Sequence, residues 1–255
     1  MSFALPNDLP VAPLYVAGFI AGATLSSFAG LAVDRLPHQL AWREAPEPNL
    51  SVVSPRSRCD ACATPIAWPY LIPILGYLFS RGRCAHCGTR VSPVYPLAEL
   101  VGGAGVCAFL FALGFGMQGI AAAAVFLVLI FLAWIDSREQ WLPAVVTLPL
   151  FWAGLLWSPF VLNPEWRIAG AATGFVLMWL AMTVAGHWRG IDALAGGDIA
   201  LAAAAGAWLG IFRLPMFLFL TSVLFIVYAL PARRRGRLQV PMGPALALAF
   251  TLCLH

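Results

Sequence analysis

The chain has 255 residues, of which 61% are hydrophobic and only 10% are charged. A soluble domain is about a quarter charged, so this composition excludes a soluble globular protein and indicates lipid as the solvent. The formal net charge is +4, and the 15 basic residues are all arginines that lie between apolar segments, which argues against a nucleic-acid-binding stripe.

Apolar segments of membrane-spanning length recur along the chain. The first follows a start that contains Asp8 and no basic residue, so we expect an uncleaved first span and no signal peptide. We predict eight spans, and therefore an all-α polytopic membrane protein. The spans lie near residues 13–33, 95–116, 118–135, 145–162, 167–187, 197–211, 213–230 and 242–255.

Four of the six cysteines lie between the first two spans, as the pairs Cys59/Cys62 and Cys84/Cys87. Each Cys-x-x-Cys turn can direct two thiolates at one point, and two such turns form the tetrahedral S4 site that zinc prefers. Two disulfides or a thiol redox site are alternatives, although a reducing cytosol disfavours them. Four thiolates leave no open position for water, so we predict a structural zinc in a small zinc-ribbon-like loop over residues 34–94.

The arginines predict the orientation, because cytoplasmic loops hold the excess of basic residues. With eight spans, all arginines except Arg167 and Arg213 fall in loops on one side. We therefore predict an inner-membrane protein with a cytosolic cysteine loop. The predicted domains are a first span (1–33), the cytosolic cysteine loop (34–94) and a transmembrane domain (95–255).

Acidic residues beside the apolar segments are the candidates for chemistry, since a charge at membrane depth costs about 2.5–3.5 kcal/mol on insertion scales. Asp136 ends the third predicted span and Asp198 opens the sixth, directly after Gly196 and Gly197. The predicted topology places both aspartates at the cytosolic face. One ionised carboxylate of such a pair can activate water, while its protonated partner donates a hydrogen bond to a scissile carbonyl.

Each acidic residue also has a structural alternative. Asp136 would then be an interfacial acid at a helix end, and Asp198 an N-cap. Glu99 follows Pro96, and we expect it in the first turn of its span, where an acid suits the helix dipole. The same dipole argument predicts Asp198, at a helix start, as the base and Asp136, at a helix end, as the acid.

Several segments around these residues resemble the type IV prepilin peptidases, and the match covers nearly the whole chain in order. The segments are 35–37, 55–68, 81–100, 135–136, 142–143, 147–150 and 197–198, which include the cysteine loop and both aspartate motifs.

The resemblance implies a bifunctional enzyme. Its aspartic endopeptidase activity would cleave after a glycine at the cytosolic edge of a prepilin's apolar helix, and S-adenosylmethionine would then methylate the new amino terminus. It implies Asp136 and Asp198 as the catalytic aspartates, no role for zinc in the peptide-bond chemistry, and prepilins or pseudopilins and the bilayer as partners. No glycine-rich nucleotide loop occurs in the cytosolic segment, so the methyl-donor site is not predicted.

The chain departs from the family pattern at several positions. The glycine-rich run before Asp198 is weakened, with Leu194-Ala195 before Gly196, and the early Ser-Phe-Leu-Asn pattern appears as Ser27-Phe28-Ala29-Gly30. Ala144 follows Leu-Pro where the family usually has Asp, and Ala200 replaces the usual Lys two residues after Asp198. The alternative function is therefore a weak or inactive paralogue that acts as an assembly or binding subunit. A third hypothesis is a proton-coupled transporter that uses the two aspartates as relay acids. The sequence does not support it with the inverted repeats that many transporters contain.

Overall fold

The computed structural model describes residues 11–189, 195–234 and 240–254, and every regular element in these ranges is helical. The start of the chain and the arginines at 235 and 237, on which part of the topology prediction depends, lie outside the described residues. The helices are α1 (Val11–Gln39), α2 (Leu75–Phe79), α3 (Val94–Leu113), α4 (Met117–Glu139), α5 (Ala144–Leu156), α6 (Pro164–Arg189), α7 (Gly196–Arg234) and α8 (Gly243–Leu252).

Five of the described helices, α1, α3, α4, α6 and α7, are long and apolar enough to cross a membrane, while α5 and α8 are apolar but shorter. Large apolar side chains point away from the protein on these helices. Phe111 on α3 is 81% exposed and Trp188 on α6 is 83% exposed. Such surfaces are unfavourable in water and favourable in lipid. The predicted class, an all-α polytopic membrane protein, is confirmed.

The main differences from the predicted spans concern where helices end. One predicted boundary agrees with the structure: spans 197–211 and 213–230 were predicted as separate, and the stretch α7 consists of two helices that meet at a break at Gly210. Gly210 has φ 71° and ψ 175°, a backbone conformation that is essentially restricted to glycine, so the chain kinks there without a loop. α5 ends at Leu156, before the predicted end at residue 162, and α1 continues past residue 33 to Gln39.

Contacts divide the chain into two compact units, Met1–Gly116 and Met117–His255. In the first unit, α1 packs along α3. A Cβ atom added at Gly22 of α1 would lie 2.6 Å from the carbonyl oxygen of Gly102 on α3, so only glycine permits this approach. Small residues at membrane helix interfaces let backbones pack closely, and this contact supports the cysteine loop that connects the two helices.

In the second unit, α7 packs against α5, α6 and α8, and α8 also contacts α4. The core between these helices contains the fully buried side chains of Leu132, Ile135, Phe217 and Phe250. The rings of Phe217 and Phe250 meet edge to face with centroids 6.1 Å apart. This core fixes the last turn of α4 beside the short helix α8.

Candidate functional site

Asp136 lies in the last turn of α4 and is only 5% exposed. Its Oδ2 atom accepts a hydrogen bond from the backbone N–H of Gly243, with an N···O distance of 2.7 Å. Gly243 is the first residue of α8, and the N–H groups of a first helical turn have no partner inside the helix. The carboxylate of Asp136 therefore satisfies a free donor at the start of α8.

Only glycine fits at position 243. A Cβ atom there would lie 2.6 Å from Oδ2 of Asp136, closer than van der Waals contact allows. The position of the Asp136 carboxylate therefore depends on a residue 107 positions away in the sequence.

Asp198 lies in the first turn of α7 and is partly exposed. Its carboxylate is near enough to that of Asp136 for the two negative charges to repel each other. The preceding residue, Gly197, packs directly on Leu142, because an added Cβ atom would lie 2.6 Å from the Cβ atom of Leu142. The structure thus brings the two predicted aspartates together, beside the α4–α5 connection.

The sequence predicted Asp198 as the base and Asp136 as the acid, because a helix start favours a negative charge and a helix end disfavours it. The structure does not give the two aspartates such opposite environments. Asp198 does lie in the first turn of α7, where the dipole favours an anion. Asp136 lies at the C-terminal end of α4, but it also receives the N–H of Gly243 at the start of α8. Both carboxylates therefore meet a helix N-terminus, an effect that the sequence of α4 alone could not reveal.

Glu99 has a different environment from the predicted one. α3 begins at Val94, so Glu99 lies in the second turn of the helix and not in the first. It is 8% exposed, and its Oε2 atom accepts a hydrogen bond of 2.6 Å from the backbone N–H of Ile74, the residue before α2. Glu99 therefore attaches the cysteine loop to α3, which is a structural role within the first unit.

Arg35 is a second residue with a structural role. From the sequence it was one of the arginines that predict orientation and part of a segment that resembles the family. It is 7% exposed, and its guanidinium donates hydrogen bonds to the carbonyl oxygens of Ser51, Pro55 and Arg56, at 3.1, 2.6 and 3.4 Å. These bonds fold residues 51–56 back onto the end of α1. Its place in the Arg35-Leu36-Pro37 segment, which resembles the family, was the only signal of this role.

The four loop cysteines form one cluster, in which all four Sγ atoms lie within 4.8 Å of one another. The Sγ atoms of Cys59 and Cys87 are 3.8 Å apart, and those of Cys62 and Cys84 are 4.0 Å apart. A tetrahedral zinc with Zn–S bonds of about 2.3 Å requires S···S distances of about 3.8 Å. The donor set and its spacing therefore fit a metal ion such as zinc.

The two cysteine turns share one local structure. The N–H of Cys59 donates to the carbonyl of Thr64 at 3.0 Å, and the N–H of Cys84 donates to that of Thr89 at 2.8 Å. The residue after the second cysteine has a positive φ in both turns, 55° and 72°. An isolated antiparallel bridge also closes each turn. The cluster is thus built from two equivalent knuckles, which resembles a zinc ribbon.

Hydrogen bonding in the second knuckle favours thiolates. The side chain and backbone of Thr89 lower the pKa of Cys87 to about 6, and backbone N–H groups of Cys87 and His86 lower the pKa of Cys84. A metal binds the thiolate and not the thiol, so these shifts reduce the cost of deprotonating Cys84 and Cys87 on binding. In the first knuckle the balance is the opposite, because the pKa of Cys59 is raised to about 11.

The fold and these two sites define an all-α, multi-pass membrane protein with a paired-aspartate centre and a four-cysteine cluster that could hold a metal ion. Comparison with family models agrees: the Bacterial Peptidase A24 N-terminal domain matches residues 20–113, and the Type IV leader peptidase family matches residues 123–230. The chain belongs to the type IV leader peptidase family.

Relatives extend this similarity over nearly the whole chain. A prepilin leader peptidase/N-methyltransferase of Burkholderia pseudomallei (strain 1026b) is 36% identical over 96% of this chain and 84% of its own length. Proteins of the same name from Klebsiella pneumoniae and Neisseria gonorrhoeae are 38% and 34% identical, over 80% and 90% of this chain and 89% and 86% of their own lengths. No solved structure gives a significant match to the chain.

Proposed function

We propose that this chain is a membrane aspartic endopeptidase that removes the leader peptide from type IV prepilins or pseudopilins. The observation that best supports this function is the pair of Asp136 and Asp198, which different helices bring together at one end of the second unit. Relatives with the matching name cover most of the chain, which supports the same substrate class.

The chemistry requires both carboxyls. The ionised carboxylate takes a proton from water, whose oxygen adds to the scissile carbonyl carbon, while the protonated carboxyl donates its proton to the carbonyl oxygen. When the tetrahedral intermediate collapses, the C–N bond breaks and the leaving amine receives a proton from the pair. The partial exposure of Asp198 gives water and substrate access, while the Gly243 N–H orients buried Asp136.

In this proposal the four-cysteine cluster holds a structural zinc ion. Cys59, Cys62, Cys84 and Cys87 would supply all four ligands, which leaves no position for a reacting water. The metal therefore stabilises the loop and takes no part in peptide cleavage.

N-methylation is the second proposed activity, and the names of the relatives support it. The methyl group of S-adenosylmethionine would pass to the new terminal amine, which releases a proton and S-adenosylhomocysteine. The residues that bind this methyl donor are not assigned, and Ala144 and Ala200 do not bear the polar side chains usual in the family.

We retain the predicted domains, 1–33, 34–94 and 95–255, with the cysteine loop and the aspartates at the cytosolic side of the inner membrane. The last turn of α4 and the first turn of α7 lie at the same end in this topology. A reporter enzyme fused after Arg90 should be cytoplasmic, and one fused at Asn163 should be periplasmic. Cytoplasmic activity at Asn163 would overturn the orientation.

Mass spectrometry of a prepilin co-expressed with this chain tests the function. The expected product lacks its leader and carries one additional methyl group at the new amino terminus. An unprocessed prepilin, with this chain correctly inserted in the membrane, would instead favour the alternative of an inactive assembly subunit. Cleavage without methylation would retain the peptidase and remove the second activity.

A further inference from the structure

An apolar groove of about 510 Å³ runs between α4 and α5 in the second unit. It exists because these helices pack on different partners: α4 on α8, and α5 on α6 and α7. Trp208 of α7 forms its floor and is only 4% exposed. The indole N–H of Trp208 already donates to the carbonyl of Leu150 at 2.8 Å, so the floor presents an apolar surface.

The sides of the groove are apolar along their whole length. Ala124 and Val128 line it on α4, and Val146 and Ala153 line it on α5, together with other aliphatic residues and Trp157. Ala124 and Ala153 are exposed, so small side chains border the open side of the groove, which would face the lipid. Small side chains of this kind let a second helix approach closely within a membrane.

One end of the groove points toward the aspartate pair. Asp136 follows Val125 by 11 residues, about three helical turns, so it lies on the same side of α4 as Val125, which is 2% exposed and forms the buried edge of the groove. Asp136 is about 12 Å beyond Val128 along the helix axis. On the opposite side, Val145 and Val146 lie in the first turn of α5. This turn follows the connection that contains Leu142, on which Gly197, the neighbour of Asp198, packs.

We propose that this groove docks the apolar transmembrane helix of the substrate. The inference rests on the proposed function and adds the place where the substrate is held. An apolar helix that lies along the groove would present the bond at its end to the two carboxylates. A polar or charged occupant would leave its groups without partners in this lining.

Photo-crosslinking tests the docking without any need for turnover. The crosslinking residue p-benzoylphenylalanine would replace Ala124, Ala153 or, as a control, Ala172, an exposed alanine on α6 outside the groove. Asp136→Asn in the same chain keeps a co-expressed prepilin intact. Crosslinks to the prepilin helix are expected from positions 124 and 153 and not from 172. Crosslinks to lipid alone, or equal crosslinks from all three positions, would overturn the proposal.

Kinetics give an independent measurement in the otherwise wild-type chain. Ala124→Phe places a large side chain in the groove and blocks the close approach of a helix, so KM for full-length prepilin should rise about tenfold with little change in kcat. Ala172→Phe should leave both constants unchanged. An unaltered KM in Ala124→Phe would argue against docking. Crosslinks from the groove without cleavage by the wild-type chain would keep the docking site and remove the peptidase activity, so the two failures are distinct.

Discussion

Asp136→Asn is expected to abolish leader cleavage while leaving the fold intact. General acid–base catalysis by one side chain contributes about 10²–10⁴ in rate, and the carboxamide of asparagine can neither take nor give the required proton. Its oxygen can still accept the hydrogen bond that Gly243 donates to Asp136 at 2.7 Å. The start of α8 should therefore keep its position, and the loss should appear in kcat.

Asp198→Asn should have an effect of the same size, because each carboxyl is useful only with the other in the complementary protonation state. Single-turnover cleavage of a purified prepilin in detergent or liposomes measures both variants. Glu99→Gln is the matched control, since Glu99 belongs to the first unit and glutamine still offers an acceptor to the Ile74 N–H. It should cleave at close to the wild-type rate.

A third variant separates the chemistry of Asp136 from its placement. Gly243→Ala leaves both carboxyls in the chain but puts a Cβ atom 2.6 Å from Oδ2 of Asp136. A displacement of about 1 Å at a reacting group can cost 10²-fold in rate, so we expect a loss of that order. Gly116→Ala, where an added Cβ meets nothing within 4 Å, should be neutral. Normal cleavage by either aspartate variant would remove the pair as the catalytic centre.

The sequence was sufficient for the fold class because lipid imposes a strong compositional rule: the apolar stretches had to be helices. The sequence was less informative about the positions at which helices break and end, because these depend on local backbone conformation. The predicted boundary between spans 197–211 and 213–230 falls close to Gly210, but hydropathy does not reveal that a glycine conformation turns the chain there. The end of α5 at Leu156 also differed, because length and hydropathy do not fix the residue at which a helix stops.

In the candidate sites, too, residue types could be predicted from the sequence, whereas contacts between distant residues could not. The cysteine spacing predicted the cluster that the structure contains. Acidic residues beside apolar segments, together with the family motifs, predicted the two aspartates, whose catalytic role stays a prediction. The contact of Asp136 with Gly243 could not, because it joins residues 107 apart and depends on how α8 packs against α4. The bond between Glu99 and the Ile74 N–H likewise has no pattern in the sequence, since a backbone donor leaves no residue signature.

Replacing Cys59 or Cys84 by serine is expected to remove the metal and disorder the cysteine loop. The two residues lie in different knuckles, and each supplies one of four Sγ atoms that lie within 4.8 Å of one another. Structural zinc contributes about 10–16 kcal/mol of binding free energy in small zinc domains. Each of the two isolated bridges described in this loop closes one knuckle, Arg58 with Pro65 and Arg83 with Arg90, and neither joins one knuckle to the other, as a shared metal ion would.

Metal analysis of reductant-treated, chelator-free protein measures the first effect, with about one zinc expected per wild-type chain. Trypsin measures the second, since Arg58, Arg81 and Arg83 flank the cysteines and should become cleavable when the knuckles unfold. Cys107→Ser is the control: Cys107 lies in α3, where its Sγ is 3.3 Å from the carbonyl of Tyr15, and a serine hydroxyl can keep that contact. It should retain zinc and trypsin resistance.

If the wild-type chain contains no zinc under these conditions, or if Cys59→Ser retains a full complement of zinc, the proposed four-thiolate zinc site is wrong. Asp136→Asn should keep its zinc, because the metal serves the loop and the aspartates serve the chemistry.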